Sequence, residues 1–336
     1  MNYTVGSLFA GIGGICLGFK QAGCTIKWAN ERDQKACETY RHNIENINSK
    51  IELYEEDIVG FHPDDTEIDI ITGGFPCQPY SLAGRMGGLK DERAEPMFRQ
   101  LVRVAVECNV RAIFMENVSM LKTLQKGVIF ERYKGILEDN GYPYLFDDVF
   151  NTKDYGGIAQ NRNRLYMVAF KEHEDYITFS KEMKERMVKI PYPRGYWDII
   201  DPSVMAEQKY YYSQKKMLRF EEDVEPVVKD IGTIYQYRRN YTRTNKNGLC
   251  PALTASMGGG GHNVPLIKDN YGIRKLTPEE CLAFQGFPKE FEFPDIADGY
   301  KYKQVGNSVS VPVVARIANI LVYSLDKARE VTGASS

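Results

Sequence analysis

Short runs rich in β-branched and aromatic residues, TVGSLF, TIKWANE, IDIITGGF and RAIFMENV, recur through the first half of the chain, and each borders a stretch with helical spacing of its apolar positions. Strands alternating with helices predict βαβ units and a mostly parallel sheet. Two further runs, YLFDDVF and RLYMVAF, flank a loop containing Gly-Gly and are expected to close that sheet as an antiparallel pair. From about Pro191 the alternation gives way to Pro, Tyr and charged residues, with Tyr210, Tyr211 and Tyr212 in a row and glycines from Gly258 to Gly261. A second, less regular domain is expected there. Helical periodicity returns at Thr277, where T-P-E-E supplies an N-cap, a first-turn proline and an N3 glutamate, and Gly286 then Pro288 stop the helix. A last helix is expected from about Ser310 to Arg329, after G-N-S. The expected division is 1–190, then 191–302 including the 274–288 motif, then a C-terminal helical segment 303–336.

Composition narrows the function classes. With 336 residues, 43% of them hydrophobic, the chain can bury a sizeable core. It shows no uninterrupted apolar run of about 18 residues and no basic stretch leading into an apolar signal core, so a soluble, cytoplasmic protein without a membrane partner is expected. Seven cysteines, an odd number with no C-x-x-C pair, and only four histidines support neither a disulfide framework nor a metal site. Most of the cysteines are expected to be small buried residues. A net charge of -2 argues against a nucleic-acid partner for the molecule as a whole. Between Ile231 and Asn263, however, Arg238, Arg239, Arg243 and Lys246 occur with no Asp or Glu and alternate with Tyr235, Tyr237 and Tyr241, so a basic face can exist on a neutral protein.

The chemistry-bearing residues gather at the ends of the expected strands. In SLFAGIGGICLGF, Gly11, Gly13 and Gly14 sit at the first strand-to-helix turn, but Cys16 stands where a dinucleotide fingerprint has its third glycine. The turn therefore reads equally as a nucleotide loop or as a tight turn. Glu31, about 20 residues on, is placed to bind the two hydroxyls of a ribose. Asp57 can accept from an adenine amine or be a solvated carboxylate. In GGFPCQPYS, Cys77 follows an apolar strand and stands between Pro76 and Pro79, a setting that suits a rigid catalytic loop, although a buried inert thiol is the alternative. Glu116 of E-N-V ends the next strand. Arg162 and Arg164 in QNRNRLY alternate with Asn163 and are expected to share one face of a strand, either at a site or along an exposed edge.

Together, F-A-G-I-G-G, the P-C-Q loop, E-N-V, Q-x-R-x-R, R-K-L-T-P-E-E-C and the closing Q-V-G-N-S resemble the motifs of the DNA cytosine-5 methyltransferases, in that family's order and over nearly the whole chain. The resemblance implies an α/β fold, a Rossmann-like and mostly parallel seven-stranded methyltransferase sheet with a smaller, irregular target-recognition domain. It implies S-adenosyl-L-methionine as cofactor, lying against Phe9, Ala10, Gly11, Gly13, Gly14, Glu31, Arg32, Asp57, Ile58, Pro76, Asn307 and Ser308, the last two expected where the final helix begins. Cys77 would add to C6 of a flipped-out cytosine. Glu116 would share a proton with N3, Arg164 would hold O2, and Arg162 would steady the thiolate or a phosphate. A water would remove the C5 proton. Gln78, Ser81, Tyr235, Arg238, Arg239 and Arg243 would contact double-stranded DNA. A monomer is expected, with a separately encoded cognate restriction endonuclease as a candidate partner.

Three positions depart from the family pattern: Ala83, Pro96 and Ala252 before Leu253. Two rival readings are an RNA cytosine-5 methyltransferase of the same fold, whose usual C-F-T tripeptide is absent here, and a catalytically silent DNA-binding module.

Overall fold

The computed structural model describes residues 2–43, 51–76, 94–192, 196–212, 219–238, 241–245, 248–258 and 264–333. The chain divides into two units, the first formed by residues 1–150, 163–189 and 311–336 and the second by 151–162 and 190–310. This differs from the expected boundaries at two places: the short stretch 151–162 groups with the second unit, and so does the chain as far as Ser310.

A seven-stranded sheet builds the first unit. Strands β1 (Thr4–Leu8), β2 (Thr25–Asn30), β3 (Glu52–Tyr54), β4 (Ile70–Gly73) and β5 (Ala112–Val118) run parallel, and β8 (Asn163–Phe170) runs antiparallel to β5. With β6 (Tyr144–Asn151) at the edge, the order is β3-β2-β1-β4-β5-β8-β6. Central strands β4 and β5 are buried along nearly their whole length, whereas β3 and most of β6 are only partly buried. That contrast explains the pattern in the sequence: a strand covered on both faces reads as a continuous apolar run. The chain crosses back at β1 and β4, and in such open sheets ligands bind beyond the carboxyl ends of the strands at that switch point.

Helices α1 (Gly14–Gln21), α2 (Gln34–His42), α3 (Ala94–Glu107), α4 (Val128–Asp139) and α5 (His173–Arg186) supply the cover. Phe98, Leu101 and Val102 of α3 and Ile129, Phe130 and Tyr133 of α4 pack with the strand residues Ile71, Ile113 and Met115. Phe98 and Tyr133 stack with centroids 4.3 Å apart, and Phe75 meets both edge-on at 5.1 and 5.6 Å. Phe75 is thus anchored two residues before Cys77. Pro96 falls in the first turn of α3, where a missing amide costs little.

The second unit contains an antiparallel sheet of β9 (Tyr235–Arg238), β10 (Tyr241–Thr244), β12 (Val264–Lys268) and β13 (Ile273–Lys275), ordered β10-β9-β12-β13. A two-residue parallel pair joins β7 (Gln160–Asn161) to β11 (Cys250–Pro251). Helix α6 (Pro278–Gln285) begins with the capping box that T-P-E-E foretold, and Gly286 ends it at φ +79°. Glu280 also receives the Arg274 guanidinium at 2.7 Å, and Asp269 takes the other side of that buried cation at 2.7 Å. The network fastens β13 to α6.

The end of the chain corrects one expectation. D-G-Y-K-Y-K-Q-V-G-N is a helix of its own, α7 (Asp298–Asn307), with Ser308 as its C-cap, and the final helix α8 (Val311–Thr332) starts three residues later in the first unit. Asn307 and Ser308 therefore stand at a helix carboxyl end, where carbonyls rather than amides are left over. A window within the helical stretch 298–331 is apolar enough to cross a membrane, but 67% of it is buried inside the protein, as in a core helix.

Candidate active site

At the carboxyl end of β1 the backbone turns sharply. Phe9, Gly11 and Gly13 take φ of +52°, +57° and +89°, a region that costs a phenylalanine energy and that glycine enters freely. An ideal β-carbon on Gly11 would meet nothing within 4 Å, so the loop borders open space. The Glu31 carboxylate, just past β2, accepts from the Gly11 amide at 2.8 Å and from the Arg32 and Asp33 amides at 2.9 and 2.8 Å. These three donors fix both oxygens. Arg32 in turn bonds Asp57 at 2.7 Å. The Val59 amide, and after it Arg32, hold the Asp57 carboxyl below the usual carboxylate range. Ala10, Gly14 and Ile58 are buried around this corner, and Pro76 is half-buried.

A second group forms at the end of β5. Glu116 pairs with Tyr166 across the antiparallel ladder, so Arg164, two residues along β8, lies diagonally opposite on the same face. The Arg164 Nε sits 3.1 Å from Glu116 Oε1. Glu116 is only 8% exposed. Its other oxygen is 3.8 Å from where a β-carbon on Gly74 would stand, beside the backbone leading to Cys77. Asn117 donates its side-chain amide to the Phe75 carbonyl at 3.1 Å and accepts from the Val118 amide. Sequence reasoning assigned the acid of E-N-V and overlooked this asparagine. The signal was present, because a short amide directly after the acid points to the opposite face of the strand.

Arg162 departs from expectation. The strand begins at Asn163, and Arg162 belongs to the second unit, 2% exposed. Its guanidinium donates to the Leu253 carbonyl at 2.7 Å, to the Gly306 carbonyl at 3.3 Å and to the Ser308 carbonyl. It does not share a strand face with Arg164. Gly306 packs against the Thr254–Ala255 backbone, where a β-carbon would lie 2.1 Å from the Thr254 carbonyl carbon. Gln160 adds bonds to Phe284 O at 2.5 Å and to Gln285 at 3.3 Å, and Gln285 reaches Val305 O at 3.0 Å. Asn307 and Ser308 thus stand in this clamp of the second unit.

Of the expected DNA contacts, Tyr235 is a core residue. It is 1% exposed, packs with Val224, Val228 and Leu266, and accepts the Lys229 and Asp230 amides on its hydroxyl. Strand alternation turns Arg238 to the other face, together with Tyr241 and Arg243 of β10. Arg243 and Tyr241 are exposed and Arg238 is half-buried. Cys77, Gln78, Ser81, Ala83 and Arg239 lie outside the described residues. The other six cysteines are all buried. Burial pushes the thiols of Cys24, Cys37 and Cys108 up to about 12 and raises those of Cys16, Cys250 and Cys281 as well.

A family model described as C-5 cytosine-specific DNA methylase matches residues 3–322. The type II methyltransferase M.Bsp6I of Bacillus sp. (strain RFL6) is 42% identical over 323 residues, which cover 96% of this chain and 99% of that protein. The type II methyltransferase M.NlaX of Neisseria lactamica is 31% identical over 331 residues, 96% of this chain and 97% of its own. Among solved structures, the Dnmt2 methyltransferase of S. pombe superposes with a TM-score of 0.69 at 18% identity, covering 97% of this chain and 100% of that one. Identity that low speaks for the fold alone. The family match and the sequence relatives carry the assignment: the chain belongs to the C-5 cytosine-specific DNA methylase family.

Proposed function

We propose that the protein transfers a methyl group from S-adenosyl-L-methionine to C5 of a cytosine flipped out of a short, specific sequence in double-stranded DNA, through a covalent bond from Cys77 to C6. The observation that carries this reading is the pairing of buried Glu116 with half-buried Arg164 at the end of β5, beside the Gly74–Pro76 backbone that Asn117 ties down. The six buried thiols favour Cys77 as the nucleophile, since raised thiols yield little thiolate at neutral pH.

The residues at the switch point fit the cofactor. Gly11 borders open space that a side chain would fill, and Glu31, fixed by three amides, keeps at least one of the roughly four acceptor sites of a carboxylate for a ribose hydroxyl. Phe9, Ala10 and Ile58 offer apolar walls and Asp57 an acceptor for an adenine amine. Helix α1 follows the N-cap Gly13 without a side-chain cap; the Gly13 amide is taken by the Ala10 carbonyl at 2.9 Å, and the first amides of the helix, from Gly14 on, are left for a carboxylate. Arg32 braces Asp57, and Pro76 closes the corner. When bound, S-adenosyl-L-methionine supplies an electrophilic methyl group on sulfur.

Cytosine C5 is too electron-poor to take that methyl until a nucleophile adds at C6. Cys77 thiolate forms the C6–S bond and the electron pair moves towards C5, while Glu116 shares its proton with N3 as charge builds there. Arg164 holds O2 and keeps Glu116 oriented. Once C5 has taken the methyl group, with S-adenosyl-L-homocysteine as the neutral product, the C5 proton leaves to a water, the C6–S bond breaks and the thiolate returns. Both ring faces must be open for these steps, which a stacked duplex forbids. Arg162 serves as a clamp of the second unit, and its expected contact with the thiolate or a phosphate is replaced in this reading by its three carbonyls. The relatives' type II names support a restriction-modification setting with a separate endonuclease as partner.

Labelled methyl incorporation into plasmid DNA and into tRNA, followed by bisulfite sequencing, tests the proposal. Incorporation into DNA at one sequence context is expected. Labelling of tRNA alone, or of neither substrate, contradicts it.

A further inference from the structure

Among the described residues, most arginines are engaged from within. Every described arginine other than Arg238 and Arg243 has an ion pair, a bond to a carbonyl or a ring contact. Among the described residues, Arg238 and Arg243 have no carboxylate or carbonyl partner, and the segment 231–263 that carries them contains no acid. They lie on one face of the β9–β10 ribbon, because Arg238 pairs with Tyr241 and Arg243 with Gln236. The opposite face, with Tyr235 and Tyr237, is buried in the core of the second unit. The ribbon is therefore anchored on one side; on the other, Gln236 is buried, Arg238 is half-buried, and Arg243 and Tyr241, the latter 52% exposed, reach outward.

We infer that this outer face enters the major groove of the target and that Arg238 and Arg243 each bind the O6 and N7 edge of a different guanine. The inference rests on the proposed DNA activity and assigns readout to named residues. A two-stranded ribbon fits a groove about 12 Å wide. The diagonal pair has its side chains rooted roughly 7–8 Å apart, about twice the 3.4 Å spacing of successive bases, so each fork can meet a different base. A guanidinium donates two parallel bonds to the two acceptors of guanine, whereas adenine presents one donor and one acceptor at the same edge and is refused. Phosphates would also attract these cations, but they carry no sequence information, so the two roles separate by experiment.

Wild type, Arg238→Ala, Arg243→Ala and Arg243→Lys are each reacted with a DNA pool randomised around the methylated cytosine and read by bisulfite sequencing. The wild type is expected to require guanine at defined positions. Each alanine variant should lose discrimination at one of them, roughly 10- to 100-fold, and the two variants should relax different positions. Arg243→Lys should keep the salt dependence of binding but relax the same position as Arg243→Ala, since an ammonium lacks the planar fork. A uniform drop in methylation with an unchanged sequence profile, or no change at all, overturns the inference. A wild type that methylates no cytosine in DNA defeats the proposed function as well; a wild type with a defined target whose variants keep its profile defeats this inference alone.

Discussion

Arg164 in the first unit and Arg243 in the second both sit on strands, and their surroundings differ in kind. Arg164 is half-buried, 3.1 Å from a carboxylate that is itself 8% exposed. Arg243 is exposed on a ribbon free of acids. A site that repeats one reaction gains from groups held in one geometry before the substrate arrives, because no reorganisation then remains to be done. A surface that distinguishes sequences gains from cations left for the ligand, because a paired arginine must first break its own ion pair. Under the proposed function the two sites divide chemistry from readout, and substitutions on the two sides should fail in different ways.

The largest effect is expected on the chemical side. Glu116→Gln keeps the shape but loses the proton, and should lower kcat by about 10²- to 10⁴-fold while DNA affinity, measured by gel shift, changes little. Loss of binding in proportion to rate would place Glu116 in the readout instead. Arg162→Ala sharpens the comparison from the other direction. Two buried carbonyls and a half-buried one would lose their donor, and we expect a stability loss of about 3–5 kcal/mol by urea denaturation with kcat per folded molecule nearly intact. A stable Arg162→Ala protein with no turnover would return Arg162 to the reacting base.

Smaller effects follow at the supports. Glu31→Ala removes a charged acceptor that also organises the Gly11 loop, so S-adenosyl-L-methionine affinity by calorimetry should fall by about 1.5–3 kcal/mol while DNA affinity without cofactor stays unchanged. Equal affinity would reduce Glu31 to a loop brace. Asn117→Ala removes one bond to the Phe75 carbonyl, worth about 1 kcal/mol of stability. Its slower turnover should show in kcat rather than KM, because the nucleophile's loop loses its tether; an effect confined to KM would argue against that coupling.

Much of the fold was legible because it rests on local rules. The T-P-E-E cap and Gly286 act within a few residues, and the buried central strands announce themselves as apolar runs. The placement of Glu116 and Arg164 on one strand pair was legible through motif and strand position. The failures share a cause, which is that partners distant in sequence override a local pattern. Alternation around Asn163 suggested that Arg162 and Arg164 share a face, but Leu253, Gly306 and Ser308 draw Arg162 into the second unit. Tyr235 stood in a basic, aromatic segment and looked like a contact for bases, yet strand alternation turned it inward against Val224 and Leu266. G-N-S resembled the start of a helix because Asp298–Asn307, with two lysines and little apolar periodicity, hid a helix of its own that ends on Gly306 and Asn307.

The covalent step is the centre of the account and admits a direct test. Fluorine at C5 permits addition at C6 and methyl transfer but cannot depart as a cation, so release is blocked. DNA containing 5-fluorocytosine in the target, incubated with the protein and S-adenosyl-L-methionine, should give a complex that survives denaturing electrophoresis, depends on the cofactor, and carries the link on Cys77 by mass spectrometry. Cys77→Ser should abolish it, since an alcohol is almost wholly protonated at neutral pH. A complex that persists in Cys77→Ser, or a link found on one of the buried cysteines such as Cys16 or Cys281, would contradict the mechanism.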